Sequence, residues 1–121
     1  EASSERAAIE ATERMLRLPY PPTAVFTGQN LVTIGASRAL RALGLQDEVA
    51  IVGFDDFPLA DMLRPGITVV AQDIEALGKL AAEILFRRLD GDTAPTNTHV
   101  VPTRLITRCS GEIAGPAAHG E

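Results

Sequence analysis

The chain has 121 residues, 45% of them apolar, a formal net charge of −5 and a single cysteine. That size and composition fit one compact domain. No run approaches the ~20 apolar residues of a membrane helix, one cysteine closes no internal disulfide, and no Lys/Arg cluster is dense enough to grip a phosphate backbone.

In chain order, Ser3 or Ser4 is placed to cap a helix running to about residue 18. Ala8, Ala11, Met15 and Leu18 lie on its apolar side at spacings of three and four. The run Pro19-Tyr20-Pro21-Pro22 stops it, because proline removes a donor and restricts the residue before it. Residues 24–27 then read as a short apolar strand of a parallel sheet covered on both faces. Gly28-Gln29-Asn30 turns into a helix over about residues 31–43, ended by Gly44. A second buried strand spans residues 49–52 and runs into Gly53-Phe54-Asp55-Asp56. A short helical turn is expected around Leu59 and Met62, and a third strand at residues 67–70. Ala71-Gln72-Asp73 leads into a long helix over about 74–89, with Asp73 as cap and Leu77, Ala81, Leu85 and Leu89 on one stripe. Residues 98–107 are strand-like around Pro102, which demotes the run to an edge, a bend or two short strands.

This order of elements predicts an α/β fold: three layers, with a mostly parallel sheet flanked by helices. In open α/β sheets ligands sit beyond the carboxyl ends of the strands. Those ends carry Gln29-Asn30, Phe54-Asp55-Asp56 and Gln72-Asp73. Gln29 offers an amide, donor and acceptor together, while Asn30 also fits a helix cap. Asp55 and Asp56 offer carboxylates to a pair of ligand hydroxyls, and Asp56 equally fits a turn and cap. Gln72 is free to face a cleft beside Asp73. Phe54 and Phe57 suit either a ring-stacking wall or core packing.

Catalytic signals are weak. His99, in the final strand segment, and His119, in the polar tail, neighbour no nucleophile–base pair. Cys109 lies between Arg108 and Ser110 without a partner base. Gly28 alone is no phosphate-loop fingerprint, a nucleophile elbow is missing, and no converging ligand set favours a metal. The chain reads as a binder rather than an enzyme, with no metal and no cofactor.

Four stretches carry a likeness to a known family. They are residues 22–30 with Ile34-Gly35-Ala36, residues 49–56, residues 64–73 leading to Leu77-Gly78, and residues 102–110. The chain resembles the C-terminal part of the effector-binding domain of the lactose/galactose repressor family, which is similar in fold to periplasmic sugar-binding proteins.

The resemblance implies a type I periplasmic-binding-protein-like C-terminal lobe over residues 1–110, including the returning C-terminal segment, with 111–121 as a flexible tail. A chain opening on Glu1-Ala2-Ser3-Ser4, with no initiator methionine, is expected to be a fragment. By position, Asp55 matches the ligand-gripping aspartate and Gln72 a polar cleft residue. Gln29-Asn30 stands where family members often have asparagine followed by aspartate. That change loses a carboxylate and lengthens an amide, so no particular sugar specificity carries over.

The implied protein is a cytoplasmic homodimeric repressor. It binds a sugar, nucleoside or related polyol between two lobes and operator DNA through an N-terminal headpiece outside this chain. It needs no membrane. Ile34 and Arg38 (or Ala39), with Leu59 and Met62 in the following turn, match the dimer surface. The alternative is the sugar-binding component of an importer. A small hydrolase fragment comes third.

Overall fold

The computed structural model describes residues 4–115. Seven elements follow one another: α1 (Glu5–Leu16), β1 (Ala24–Thr27), α2 (Asn30–Ala42), β2 (Ala50–Phe54), β3 (Thr68–Ala71), α3 (Ile74–Leu89) and β4 (Arg104–Ile106). They divide into two compact units, Glu1–Ala71 with Leu105–Glu121, and Gln72–Arg104.

In the first unit the sheet runs in the order β1-β2-β3-β4. β1 pairs with β2 in parallel, Ala24 opposite Ala50 through Thr27 opposite Gly53. β2 pairs with β3 in parallel, Val52 opposite Thr68 through Phe54 opposite Val70. The core gathers Ala36 and Leu40 of α2, Val49 and Ile51 at the start of β2, Ala60, Ile67, and Val69 and Ala71 of β3. Full burial of Leu40 and Val69 contributes about 1.5–3 kcal/mol for each side chain.

α1 begins where expected: the Ser4 hydroxyl accepts from the Ala7 amide at 3.3 Å, which satisfies one of the orphan N–H groups of the first turn. It ends earlier than expected, at Leu16, and its buried residues are Ala8 and Thr12. Met15 and Leu18 are exposed. The contact with α2 turns the helix, because a side chain at Gly35 would meet the Glu5 carbonyl oxygen and come within 2.7 Å of the Ala8 Cβ. α1 therefore presents its Glu5–Ala8–Thr12 line, and Ala11, Met15 and Leu18 fall off the contact.

Three further expectations change. β1 is not covered on both faces: it is the edge strand, and Phe26 is 64% exposed. No helix forms around Leu59 and Met62. That segment is two tight turns, with the Ala60 amide donating to the Phe57 carbonyl and Met62 to Leu59. Its Leu59 stands at φ +71, outside helical geometry. The strand expected over residues 98–107 shrinks to Arg104–Ile106, after Pro102 and its missing donor.

The segment after β4 is stitched to the sheet. Ser110, fully buried, donates its hydroxyl to the Ile51 carbonyl at 2.7 Å and accepts from the Thr68 amide at 2.9 Å. Gly111 and Glu112, expected in the tail, are tied to the Thr68 hydroxyl at 3.3 and 3.0 Å. The remainder of that tail, including His119, lies outside the described residues from position 116.

The second unit is α3 and the segment after it. Asp73 caps the helix as expected, its carboxylate accepting from the Ala76 amide at 2.9 Å. Glu75 lies in the first turn and Arg87 and Arg88 in the last, each sign matching the helix dipole. None of its residues is buried: Leu77, Leu85 and Leu89 of the expected stripe are all exposed. No helix among the described residues is long and apolar enough to cross a membrane.

Candidate functional site

The carboxyl ends of β1 and β2 position the candidate site. Since Thr27 stands opposite Gly53, the parallel pairing carries Gln29 and Asp55, each two residues further on, past the same sheet edge.

Gln29, rather than Asn30, occupies the cap position of α2, in extended conformation (φ −160, ψ 146) and with no side-chain capping bond. Its carbonyl accepts from both the amide and the hydroxyl of Thr33, at 2.9 and 3.0 Å. These are the first intrahelical bond and a threonine bond to the same carbonyl, and the exposed Gln29 side chain takes no part in them. Asn30 is the first helical residue, its carboxamide oxygen accepting from the Leu31 amide at 2.7 Å.

Asp55 follows β2 in the left-handed region, φ +69. An L-residue there sacrifices roughly 1–2 kcal/mol, with aspartate among the better tolerated. Its amide extends the sheet ladder by one bond, donating to the Val70 carbonyl at 3.0 Å. The reversal of φ at this point turns the chain out of the sheet at the strand end.

Asp56 caps no helix. Its two carboxylate oxygens receive the two terminal nitrogens of Arg108, each at 2.7 Å, and one also accepts from the Phe57 amide at 2.9 Å. The Arg108 side chain is largely covered, 18% exposed against 37% for Asp56. Hydrogen bonding to Asp56 holds the guanidinium pKa above its usual value, assisted by the charges of Asp56 and Asp61 and opposed by burial. The Arg108 amide donates to the Thr68 hydroxyl at 2.9 Å. Sequence reasoning passed over this residue, seeing it only as a neighbour of Cys109. The guanidinium instead reaches across 52 positions of chain.

Phe54 is the last residue of β2 and half-buried. Phe57 packs against the core cluster, which answers its two readings in favour of core. Gln72 directly follows β3, is half-buried, and opens the second unit. His99 is exposed and lies in no strand. Among the described residues no group of three or more His, Cys, Asp or Glu side chains could hold a metal.

Of the four residues expected at a dimer surface, Ile34, Arg38 and Leu59 border one groove of about 260 Å³, together with Arg41, Phe57 and Leu63. Met62 is 69% exposed and is not part of that lining. Arg38 is paired with Glu5 at 3.0 Å. Ala39 is fully buried, which removes it as a surface residue. A separate hollow of about 390 Å³ lies at the opposite, amino-terminal end of the strands, between Leu16, Pro22, Thr23, Leu45 and Val49.

The periplasmic binding protein-like domain matches residues 1–110. The ribose operon repressor of Escherichia coli K12 is 36% identical over 89 residues, 72% of this chain and 26% of that protein. The HTH-type transcriptional regulator PtxS of Pseudomonas aeruginosa is 38% identical over 91 residues, 74% of this chain and 27% of that protein. A LacI family transcriptional regulator from Arthrobacter sp. FB24, solved in complex with lactose, superposes with a TM-score of 0.78 at 28% identity, covering 91% of this chain and 42% of that one. The chain thus spans between about a quarter and two-fifths of these relatives. A parallel sheet and these likenesses agree: the chain belongs to the periplasmic binding protein-like domain family.

Proposed function

We propose that this chain is part of the effector-binding domain of a ligand-responsive transcriptional repressor, and that its effector is a small sugar, nucleoside or related polyol. The observation that carries this reading is Asp55. It is held at φ +69 immediately beyond β2, one sheet position from an amide at Gln29 that no capping bond engages. A carboxylate and an amide carried past the same sheet edge suit vicinal hydroxyls, because ionised acceptors make the stronger and better-directed hydrogen bonds. Phe54 would add apolar surface next to Asp55, and Gln72 enters on its sequence position after β3.

In the proposed mechanism the effector bridges this part of the domain and the remainder of the parent protein. Closure shifts a two-state balance only by the difference in the effector's affinity for the two states. The groove at Ile34, Arg38 and Leu59 would be the homodimer contact that carries the change to a DNA-binding headpiece and so to operator DNA, with all of this taking place in the cytoplasm. The apolar residues left exposed on α3 would be covered by the rest of the parent protein. Identity of 36–38% to regulators supports this reading over the importer component, which shares the fold, and over an enzyme.

The test is calorimetric titration of the parent's complete effector domain with pentoses, hexoses, nucleosides and sugar phosphates, beside its Asp55→Ala variant. Saturable heat from one compound, lost in the variant, is the expected result. Binding that survives Asp55→Ala would remove Asp55 from the site.

A further inference from the structure

We infer that Arg108 is a positioning residue: by clamping Asp56 it fixes the backbone orientation of Asp55 at the carboxyl edge of β2. Its meaning for effector binding rests on the reading above, but the clamp itself is a matter of geometry.

Asp55 is held from both sides. Before it, the sheet ladder is extended by its own amide on the Val70 carbonyl at 3.0 Å. After it, both oxygens of Asp56 are taken by Arg108 at 2.7 Å. Between these two anchors the chain has one residue in which to turn, and it does so at φ +69. Left-handed backbone at a non-glycine residue persists only where the surroundings over-determine it. A two-point guanidinium–carboxylate contact supplies such a restraint, because it fixes orientation as well as distance.

Arg108 is itself immobilised. Its amide donates to the Thr68 hydroxyl at 2.9 Å and its guanidinium reaches the Ile67 carbonyl at 3.3 Å. The next residues, Cys109 and Ser110, are tied to Gly66 and Ile51. The clamp therefore transmits the position of the C-terminal segment to the strand-end loop. Asp56 would not serve as a second ligand carboxylate, since both its oxygens are engaged.

The experiment is NMR of the 121-residue chain and its Arg108→Gln, Arg108→Lys and Ser110→Ala variants, reading φ-dependent backbone couplings and amide exchange residue by residue. In Arg108→Gln the Asp55 coupling should leave its positive-φ value. Its amide protection should fall roughly tenfold, the scale of one lost charge-assisted hydrogen bond, while Ile51 and Val52 keep theirs. Arg108→Lys should fail to restore Asp55, because an ammonium cannot hold both oxygens.

Ser110→Ala removes nearby bonds to Ile51 and Thr68. It should lower protection there and disturb Asp55 less than Arg108→Gln does. An unchanged Asp55 in Arg108→Gln, or an equal response to Ser110→Ala, would overturn the proposal. Should Arg108→Gln not fold, Asp56→Asn breaks the same pair from its other end and is read in the same way. Titrating D-ribose into the parent's complete effector domain separates the two ideas. Silence towards ribose there, together with a displaced Asp55 in the variant chain, counts against ribose as effector and leaves the clamp standing.

Discussion

Thr27 and Thr33 share a hydrogen bond of 2.7 Å between two buried hydroxyls, joining the end of β1 to the first turn of α2. Thr33 also fills the space left by the absent side chain of Gly53, where a Cβ would come within 2.7 Å of its Oγ1 and Cγ2. One threonine thus locks the strand end, the helix start and the neighbouring strand. Thr33→Val keeps the shape and removes the hydroxyl, leaving Thr27 with the Val52 carbonyl at 3.4 Å as its partner. The loss should be about 1–2 kcal/mol, read as a lower denaturant midpoint at unchanged slope.

Gly35→Ala tests the helix contact. The new methyl would collide with the Glu5 carbonyl and Ala8, so α1 must move or the core must open. We expect about 1–3 kcal/mol of destabilisation and faster amide exchange throughout α1. A neutral effect would mean that α1 is not seated on Gly35.

Asp55 allows stability and binding to be separated. Asp55→Gly removes the left-handed penalty but adds chain entropy to the unfolded state. Asp55→Ala keeps the penalty and should be less stable than Asp55→Gly by about 1 kcal/mol. Neither should bind the effector when placed in the complete domain. Equal stabilities on chemical denaturation would show that the backbone at Asp55 carries no strain.

Arg108 also makes a statement about pH. Its pKa is raised in the folded chain, first by the hydrogen bond to Asp56. A raised folded pKa gives stability that is complete below the unfolded value and is lost only as pH climbs through the folded one, and both lie above the working range. The stability difference between wild type and Arg108→Gln should therefore be the same at pH 7 and pH 10. A difference that shrinks across that interval would contradict the raised pKa.

Local signals were enough for most of the elements. Ser4 and Asp73 were legible as caps because a short polar side chain before an apolar-periodic run has few other uses. β1 and α3 fell on or beside their expected bounds. The site residues were legible as positions, since polar groups directly after apolar strands stand out. Their geometry was not. The sign of φ at Asp55 is decided by what holds its neighbours, and Arg108 and Asp56 are 52 residues apart in the chain. The face that α1 buries was hidden for the same reason: it depends on the gap at Gly35, on another helix. The stripe that periodicity puts on α3 is exposed, and a stripe does not say what covers it.

That last feature governs how the isolated chain melts. A 16-residue helix with no buried residue draws little on a hydrophobic core, and isolated helices only slightly shorter are marginal in water. The packed sheet of the first unit draws instead on a shared core and unfolds cooperatively. The chain should therefore lose helical signal in a broad early slope before a sharper transition follows, and a midpoint fitted to a single step would describe neither part.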